Sequence, residues 1–301
     1  MALMSSPSGD ASAQVKTNAE RLGYPRDTKL LIIHGDDLAV AHSVNAATFA
    51  ALDRNAISSA SVMVPCPWFT EVAAYGREHP NADLGIHLTL TSEWKTYRWG
   101  PVAGRDQVPS LLDPDGYLWA ESGQVGSHAK PEEVEREVRA QIQRALSAGI
   151  KFTHIDSHMV SLLQTPALVA VYRKVAREYH VPFLAARSTN APHLMLSLVG
   201  DQDIVLDSVV TADEEVRPGE WKEYYVGILR GLKPGLTELI VHLGFNDAEL
   251  KAITCGHLGW DAAWRQRDYD VVTNPEFKLL LDESHTRLVT WRELGKLLPN
   301  Y

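Results

Sequence analysis

The sequence predicts an α/β fold, a closed or nearly closed barrel of about seven parallel strands. Short apolar runs recur along the chain, and helix-like segments separate them. Strands alternating with helices of about 10–15 residues indicate βαβ units and a parallel sheet, and seven or eight such strands favour a barrel over an open sheet. Several of the runs end directly in polar residues, which predicts functional groups at the ends of the strands.

Each predicted strand starts from an apolar run. Leu30-Leu31-Ile32-Ile33 enters a polar turn, as expected of a strand that is buried on both faces. The other predicted strands cover residues 59–64, 83–90, 152–156, 181–186, 204–210, 238–243 and 287–290.

Helices are predicted between these strands. Ser43 is a suitable N-cap for a helix that runs to about Asn55, and Pro131 suits the first turn of a charged helix that ends near Gly149. Two further helices are predicted at residues 69–78 and 166–180, and another follows the last strand. Residues 91–128 are rich in Gly, Pro, Trp and Tyr and lack a clear period, which predicts a functional loop.

The predicted domain is a single barrel over residues 26–301. The first 25 residues are small and polar, and we expect them to be disordered or processed. They lack the apolar centre of a signal peptide, although Ala11-Ser12-Ala13-Gln14 resembles the small-residue end of a cleavage site. The sequence therefore predicts a soluble protein, cytoplasmic as it stands, and leaves an exported form open.

The overall charge and the cysteines exclude several classes of protein. Lys and Arg number 29 against 38 Asp and Glu, and no basic run stands out, so nucleic acid is not an expected partner. No apolar stretch reaches the roughly 18 residues of a membrane helix. Cys66 and Cys255 lie far apart in sequence, which predicts two isolated buried thiols, with a disulfide in an oxidising compartment as the alternative.

Two adjacent carboxylates follow the first strand, in His34-Gly35-Asp36-Asp37. Neighbouring buried carboxylates repel each other, and a fold tolerates them most easily if one of them binds a cation. The alternative interpretation is that Asp36 or Asp37 caps the following helix.

Histidines lie on or beside two later strands. In Thr153-His154-Ile155-Asp156-Ser157-His158, an extended backbone places His154, Asp156 and His158 on one face, which is typical of a metal site. His87 lies between Ile86 and Leu88 in another strand, where a lone histidine is more often a core residue.

His242 and Arg187 each follow an apolar run near the end of a predicted strand. A surface ion pair is the alternative interpretation for Arg187. The repeated placement of such residues at strand ends is the informative signal. A site of one Asp and two His leaves open positions on a divalent ion for water and substrate, and the ion lowers the pKa of coordinated water to about 7. Asp36 could then supply the base, and His242 the acid, of a hydrolytic reaction.

These motifs together resemble the YdjC/ChbG-type carbohydrate deacetylases, which are distant relatives of the polysaccharide deacetylases and share a distorted (β/α) barrel. The resemblance rests on the Asp-Asp turn, Gly85-Ile86-His87-Leu88 and Thr153 to His158, and it extends through His242-Leu243-Gly244-Phe245 and Arg267-Asp268-Tyr269-Asp270. It runs from about Lys29 to the C-terminus.

The resemblance implies a role for each candidate residue. Asp37, His87 and His158 would bind one divalent metal ion, expected to be Zn²⁺, with Mg²⁺ or another ion as the alternative. Asp36 would be the general base, His242 the general acid, and Arg187 the arginine that orients the catalytic carboxylate. His154 and Asp156 are expected to support the ligands or to contact substrate.

The implied reaction is hydrolysis of an N-acetyl group on an amino sugar or a short oligosaccharide. Leu38-Ala39 stands where the family usually has Phe-Gly, and Met159-Val160 follows His158 where the family usually has another histidine. These differences, together with the aromatic residues Trp94, Tyr97, Trp99 and Trp119, leave open another ester or amide substrate. A carbohydrate-binding relative without catalysis is the third interpretation, and the sequence leaves a homo-oligomer open.

Overall fold

The computed structural model describes residues 16–187, 199–200, 202–257 and 259–299. Its strands are all parallel, as predicted, and all belong to one sheet. In chain order they are β1 (Lys29–Leu38), β2 (Ser59–Val62), β3 (Leu84–Leu88), β4 (Ile155–Ser157), β5 (Ser208–Thr211), β6 (Gly235–Val241) and β7 (Thr286–Leu288).

Helices connect the strands. Those in the described residues are α1 (Asn18–Arg21), α2 (His42–Asp53), α3 (Phe69–Glu78), α4 (Ser122–His128), α5 (Pro131–Ser147), α6 (Pro166–Glu178), α7 (Trp221–Gly231), α8 (Ala248–Ile253), α9 (Ala262–Val272), α10 (Pro275–Glu283) and α11 (Trp291–Gly295). Short 3-10 helices cover Arg105–Gln107, Pro109–Leu111, His158–Leu163 and Pro218–Glu220. None of the helices among these residues has both the length and the apolar character needed to cross a lipid bilayer.

The sheet curls into a half-barrel whose strand order is β4-β3-β2-β1-β6-β5, and β7 pairs with the first residues of β1. An irregular segment, predicted as a regular strand at residues 181–186, spans the gap between the two edges. It makes isolated bridges from Phe183 to Ile155 and from Ala186 to Leu206. The prediction of an α/β barrel with about seven parallel strands is therefore confirmed, with one irregular wall.

The interior of the barrel changes from apolar to polar along the strands. Side chains alternate across a strand, so residues 30, 32, 34 and 36 of β1 share one face. Leu30 and Ile32 pack with Trp291 at the amino-terminal end of the strands. The next inward residues, His34 and Asp36, are buried polar groups. Apolar side chains therefore form a floor at the amino-terminal end of the barrel, and a layer of polar side chains lies above it, toward the carboxyl ends of the strands.

Some boundaries differ from the predicted ones. Helix α2 begins at His42 with Ala41 as N-cap, because the hydroxyl of Ser43 donates to Asp247 and Glu249 instead of capping the helix. Residues 16–25 were predicted to lie outside the barrel domain, yet α1 packs Ala19 into the apolar floor. Residues 11–14, the possible cleavage site, lie outside the described residues.

The cysteines are unpaired, as predicted, but only Cys66 is buried. Cys255 is exposed, because it lies in the turn that follows α8.

Candidate metal centre

A cavity of about 480 Å³ opens at the carboxyl ends of the strands. Parallel strands bring the residues at their carboxyl ends to one edge of the sheet, which is where ligand sites form in such folds. The predicted site residues that line this cavity are Asp36, Asp37, His87, Asp156, His158 and His242.

A β-bulge explains how two adjacent carboxylates can face the same cavity. In a regular strand they would point to opposite faces. Between Gly35 and Leu38, β1 has one more residue than the matching stretch of β2, from Ala60 to Val62. Asp37 has a φ of +70°, a left-handed conformation that Asp adopts more readily than most residues. The bulge therefore turns both Asp36 and Asp37 inward.

Ala39 also has a left-handed backbone, with a φ of +80°. A glycine adopts this conformation without a steric penalty. This explains why the family that the sequence resembles usually has Phe-Gly after the two aspartates. In this chain, the Asn45 side chain accepts a hydrogen bond from the Ala39 N–H at 2.7 Å and holds the turn.

Three atoms converge at the centre of the site. Asp37 Oδ1 lies 3.5 Å from His87 Nε2 and 3.3 Å from His158 Nδ1. The two ring nitrogens are 3.2 Å apart. Each residue is buried and comes from a different strand end, so the protein brings together three distant parts of the sequence at one point.

The spacing of these atoms fits a divalent metal ion. Ligand atoms about 2.0–2.1 Å from Zn²⁺ in a tetrahedral arrangement are about 3.3–3.4 Å from each other. Asp37 Oδ1 is buried and has no hydrogen-bond partner among the described residues. A cation at the centre of the three atoms would compensate this buried oxygen.

The outer nitrogens of the two rings are held by carboxylates. His87 Nδ1 lies 2.8 Å from Asp156 Oδ1, and His158 Nε2 lies 3.1 Å from Glu93 Oε2. When the outer nitrogen carries the only N–H of the ring, the inner nitrogen has a lone pair that can bind a metal ion. A carboxylate that accepts from the outer N–H is the usual support of a metal-binding histidine. Sequence analysis missed Glu93, although an acidic residue just past a strand that carries a ligand was an available signal.

Protons compete with the metal ion at these ligands. Burial opposes a charge on His158, but the carboxylates of Glu93 and Asp37 outweigh it and raise the pKa of the ring to about 10. The pKa of His87 is also raised, because Asp156 and Asp36 offset its burial. For Asp37, Arg265 and His158 outweigh burial and hold the pKa well below its usual value.

An arginine holds the proposed ligand Asp37, and it is not Arg187, which was predicted to orient the catalytic carboxylate Asp36. Arg265 on α9 is buried and donates from Nη2 to Asp37 Oδ2 at 2.7 Å, and its Nε donates to the carbonyl of Trp260. The side chain of Arg187 is instead 62% exposed, and its Nε lies 3.7 Å from Asp207 Oδ1. The structure does not bring Arg187 to the carboxylates, because its segment runs along the irregular wall of the barrel. Arg265 lies on a helix that sequence analysis did not assign.

Asp36 and His242 stand beside the three converging atoms. Asp36 Oδ2 lies 3.9 Å from His87 Nε2 and 3.8 Å from His242 Nε2. Burial lowers the pKa of His242 to about 4, despite the nearby Asp37 and Asp36. The backbone N–H of His242 donates to Asp268, which fixes the end of β6.

A second group of ionisable side chains lies deeper in the barrel and meets the cavity only at Asp156, and we call it the interior cluster: His34, His154 and Asp156. The ring of His154 stacks on Trp291, and its Nδ1 contacts Thr153 Oγ1 at 3.0 Å. An added Cβ at Gly85 would lie 2.3 Å from this ring, so a glycine is required there. His154 does not line the cavity, whereas Asp156 does.

The loop over residues 91–128 is ordered and contains helical turns. Glu137 of α5 accepts hydrogen bonds from the backbone of Val102 and Ala103 and thereby anchors the loop. Of the four loop aromatics, Trp94 lines the cavity, whereas Tyr97, Trp99 and Trp119 donate hydrogen bonds to backbone carbonyls outside it.

The rim of the cavity is apolar beside His158. Met159 and Val160 are exposed, and both have a φ of +50°, which is strained for a β-branched valine. They line the cavity together with Leu184, Ile240 and Trp260.

The fold and this site define a class: an α/β barrel protein with a candidate divalent-metal centre of one Asp and two His. Comparison with known proteins agrees, since residues 30–283 match the family described as YdjC-like protein. The chain belongs to the YdjC-like family, and the predicted resemblance is confirmed.

Relatives extend over nearly the whole chain. A carbohydrate deacetylase of Thermus thermophilus is 32% identical over 287 residues, which is 93% of this chain and 98% of the relative. A carbohydrate deacetylase of Brevibacillus brevis is 31% identical over 277 residues, or 88% and 99% of the two chains. A crystal structure of a putative cellobiose-phosphate cleavage protein from Enterococcus faecalis matches with a TM-score of 0.75 and 26% identity, covering 89% of this chain and 99% of that one.

Proposed function

We propose that the protein is a metal-dependent hydrolase that removes an N-acetyl group from an amino sugar or a short oligosaccharide. The observation that carries the proposal is the triangle of Asp37 Oδ1, His87 Nε2 and His158 Nδ1, with sides of 3.2–3.5 Å. Two relatives that match almost the full chain are named carbohydrate deacetylase, which supports the substrate class.

Asp37, His87 and His158 are the proposed ligands. A divalent ion bound there would act as a Lewis acid on the acyl carbonyl and lower the pKa of water. Arg265 holds the second oxygen of Asp37, Asp156 holds His87, and Glu93 holds His158, so the ligand atoms keep their orientation. Arg265 thus orients a proposed ligand, whereas sequence analysis assigned Arg187 to the catalytic carboxylate, Asp36.

Asp36 is the proposed general base. The oxygen of the attacking water forms a bond to the carbonyl carbon, and one proton of that water passes to Asp36. The C–N bond then breaks as the nitrogen takes up a proton, and acetate and a free amine are released. Asp36 lies beside the ligands without being one of the three, which is the position that such a base needs.

His242 is the proposed acid, and its environment restricts how it can act. With its pKa lowered to about 4 by burial, the ring is neutral at pH 7 before substrate binds. It can donate a proton to the leaving nitrogen only after receiving one, and the Asp36 carboxyl, 3.8 Å away, is the nearest source. His242 therefore serves as a relay between Asp36 and the amine.

The apolar rim favours a second candidate, hydrolysis of a larger acyl group at the same metal centre. Met159, Val160 and Leu184 offer hydrocarbon surface close to the ligand His158, where an acetyl group needs little room. The rate of acid release from N-butyryl glucosamine relative to N-acetylglucosamine separates the two candidates.

The test is acetate release from N,N′-diacetylchitobiose by the Zn²⁺-loaded protein. Asp36→Asn is expected to retain one Zn²⁺ per chain and to lower kcat by about 10²–10⁴-fold, because it removes the base and keeps the ligands. Asp83→Asn is the matched control: this buried carboxylate lies outside the cavity, and its amide variant should retain kcat. Wild-type kcat in Asp36→Asn would show that the base is misassigned. Bound metal without acetate from any N-acetylated amino sugar would refute the proposed substrate.

A further inference from the structure

The assigned mechanism leaves His34 without a role, although this ring lies directly beneath the proposed base. His34 is 1% exposed and sits on the inward face of β1, two residues before Asp36. Sequence analysis noted it only as part of the cluster that contains the two aspartates.

One nitrogen of His34 faces three oxygens. Nε2 lies 3.1 Å from Asp36 Oδ1, 3.2 Å from Asp156 Oδ2 and 3.0 Å from Ser61 Oγ. The Ser61 hydroxyl donates to Asp156 Oδ2 at 2.7 Å. On the opposite side of the ring, Nδ1 lies 3.6 Å from Glu238 Oε1.

His34 makes the shortest ion-pair contact with Asp36 among the described residues. No hydrogen bond from the described part of the chain reaches its Oδ1, and the contacts of its Oδ2 with His87 and His242 are 3.9 and 3.8 Å long. Of the three histidines around the base, His34 is therefore the closest, with its Nε2 3.1 Å from Asp36 Oδ1. Two buried carboxylates that lack an intervening donor would repel each other.

We propose that His34 is a positioning residue that holds the carboxylates of Asp36 and Asp156 in one fixed arrangement. Because Asp156 Oδ1 binds His87 Nδ1 at 2.8 Å, the same imidazole aligns the base with a metal ligand. The inference rests on the proposed function, since it assigns His34 to the base of that reaction. It gives a role to His34, which is neither one of the three ligands nor the base.

The test is His34→Asn, assayed with N,N′-diacetylchitobiose and Zn²⁺. A base displaced by about 1 Å loses on the order of 100-fold in rate, so we expect kcat to fall by about that factor while KM stays within about threefold. The dissociation constant of Zn²⁺, measured by chelator competition, should rise by less than tenfold, because the ligands remain. Asp83→Asn is again the control, and it should lower Tm without changing kcat.

The kcat of a second variant and the orientation of the Asp36 carboxylate also test the role of His34. If His34→Asn does not fold, Ser61→Ala removes the hydroxyl between His34 and Asp156 without a change of charge, and kcat should fall about tenfold. A crystal structure of the folding variant should show a rotated Asp36 carboxylate, a readout that needs no substrate. Unchanged kcat, or an unchanged Asp36 orientation, overturns the role of His34. A wild-type protein that releases no acetate instead refutes the proposed function, and the Asp36 orientation still decides the inference.

Discussion

The metal-ligand triangle and the interior cluster differ in what their atoms face, although both are buried groups of two His and one Asp. In the triangle of Asp37, His87 and His158, Asp156 and Glu93 hold the outer ring nitrogens, so the inner nitrogens face each other and Asp37 Oδ1. In the interior cluster, the His34 nitrogen faces carboxylate and hydroxyl oxygens.

This difference separates a metal centre from an ion-pair network. Once its histidines lose their extra protons, the triangle is a set of converging acceptors that a metal ion can bind, and Asp37 Oδ1 has no hydrogen-bond partner in the described chain. In the interior cluster, burial opposes a charge on His34, but Asp156, Asp36 and Glu238 outweigh it and raise its pKa well above the usual value. The protonated histidines of the triangle can give up their protons to a metal ion, whereas His34 Nε2 faces Asp36, Asp156 and Ser61 oxygens rather than other ligand nitrogens. Closeness of ligand-type atoms alone does not define a metal site.

The largest expected effect tests this contrast with one histidine from each group. His158→Ala, or His87→Ala, leaves two of the three ligands, and the dissociation constant of Zn²⁺ should rise by more than about 1,000-fold. His154→Asn changes an equally buried histidine of the interior cluster, and Zn²⁺ affinity should change by less than about threefold. Calorimetric titration with Zn²⁺ measures both. Similar losses in the two variants would remove the distinction.

A smaller effect is expected at Glu93, which holds His158 from outside the triangle. Glu93→Gln keeps an acceptor for His158 Nε2 but removes the charge, so Zn²⁺ affinity should fall by about tenfold, and Glu93→Ala by up to about 100-fold. Glu137→Gln is the control, since this buried carboxylate supports the same loop without contacting the site. Equal Zn²⁺ affinity in wild type and Glu93→Ala would contradict the supporting role.

Within a single pH unit, an effect no larger than that of Glu93→Gln is expected from the pH dependence of metal binding. In the metal-free protein, His158 has a pKa raised to about 10, so it carries a proton at pH 7 that Zn²⁺ must displace. Zn²⁺ affinity should therefore increase by about tenfold per pH unit between pH 6 and 9, and more steeply if His87 also loses a proton. Titration in two buffers of different ionisation enthalpy counts the released protons. Binding that releases no proton at pH 7 would show that His158 is neutral or is not a ligand.

Much of the sheet could be predicted because its strands are local apolar runs. The runs that became β1, β2 and β3 were located within a few residues. The irregular wall at residues 181–186 could not be distinguished from a strand, because its residues are as apolar as those of one. Helices α7 to α10 were missed, although Asp247, Asp261 and Asn274 cap three of them with side-chain hydrogen bonds that follow the usual N-cap pattern.

In the site, the predictable part was again local. Alternation along β4 placed Asp156 and His158 on the side of the cavity. The β-bulge that turns Asp36 and Asp37 together arises from the pairing of β1 with β2 and has no signal in residues 34–37 alone. Arg265 meets Asp37 across 228 residues, a contact that no local pattern encodes. The contact of an arginine with Asp37 therefore depends on residues that are distant in sequence.

The most direct test of the metal centre is a crystal structure of the Zn²⁺-loaded protein with anomalous scattering recorded at the zinc edge. We expect one anomalous peak per chain, about 2.0–2.2 Å from Asp37 Oδ1, His87 Nε2 and His158 Nδ1. A peak among His34, His154 and Asp156, or no peak at saturating Zn²⁺, would contradict the account.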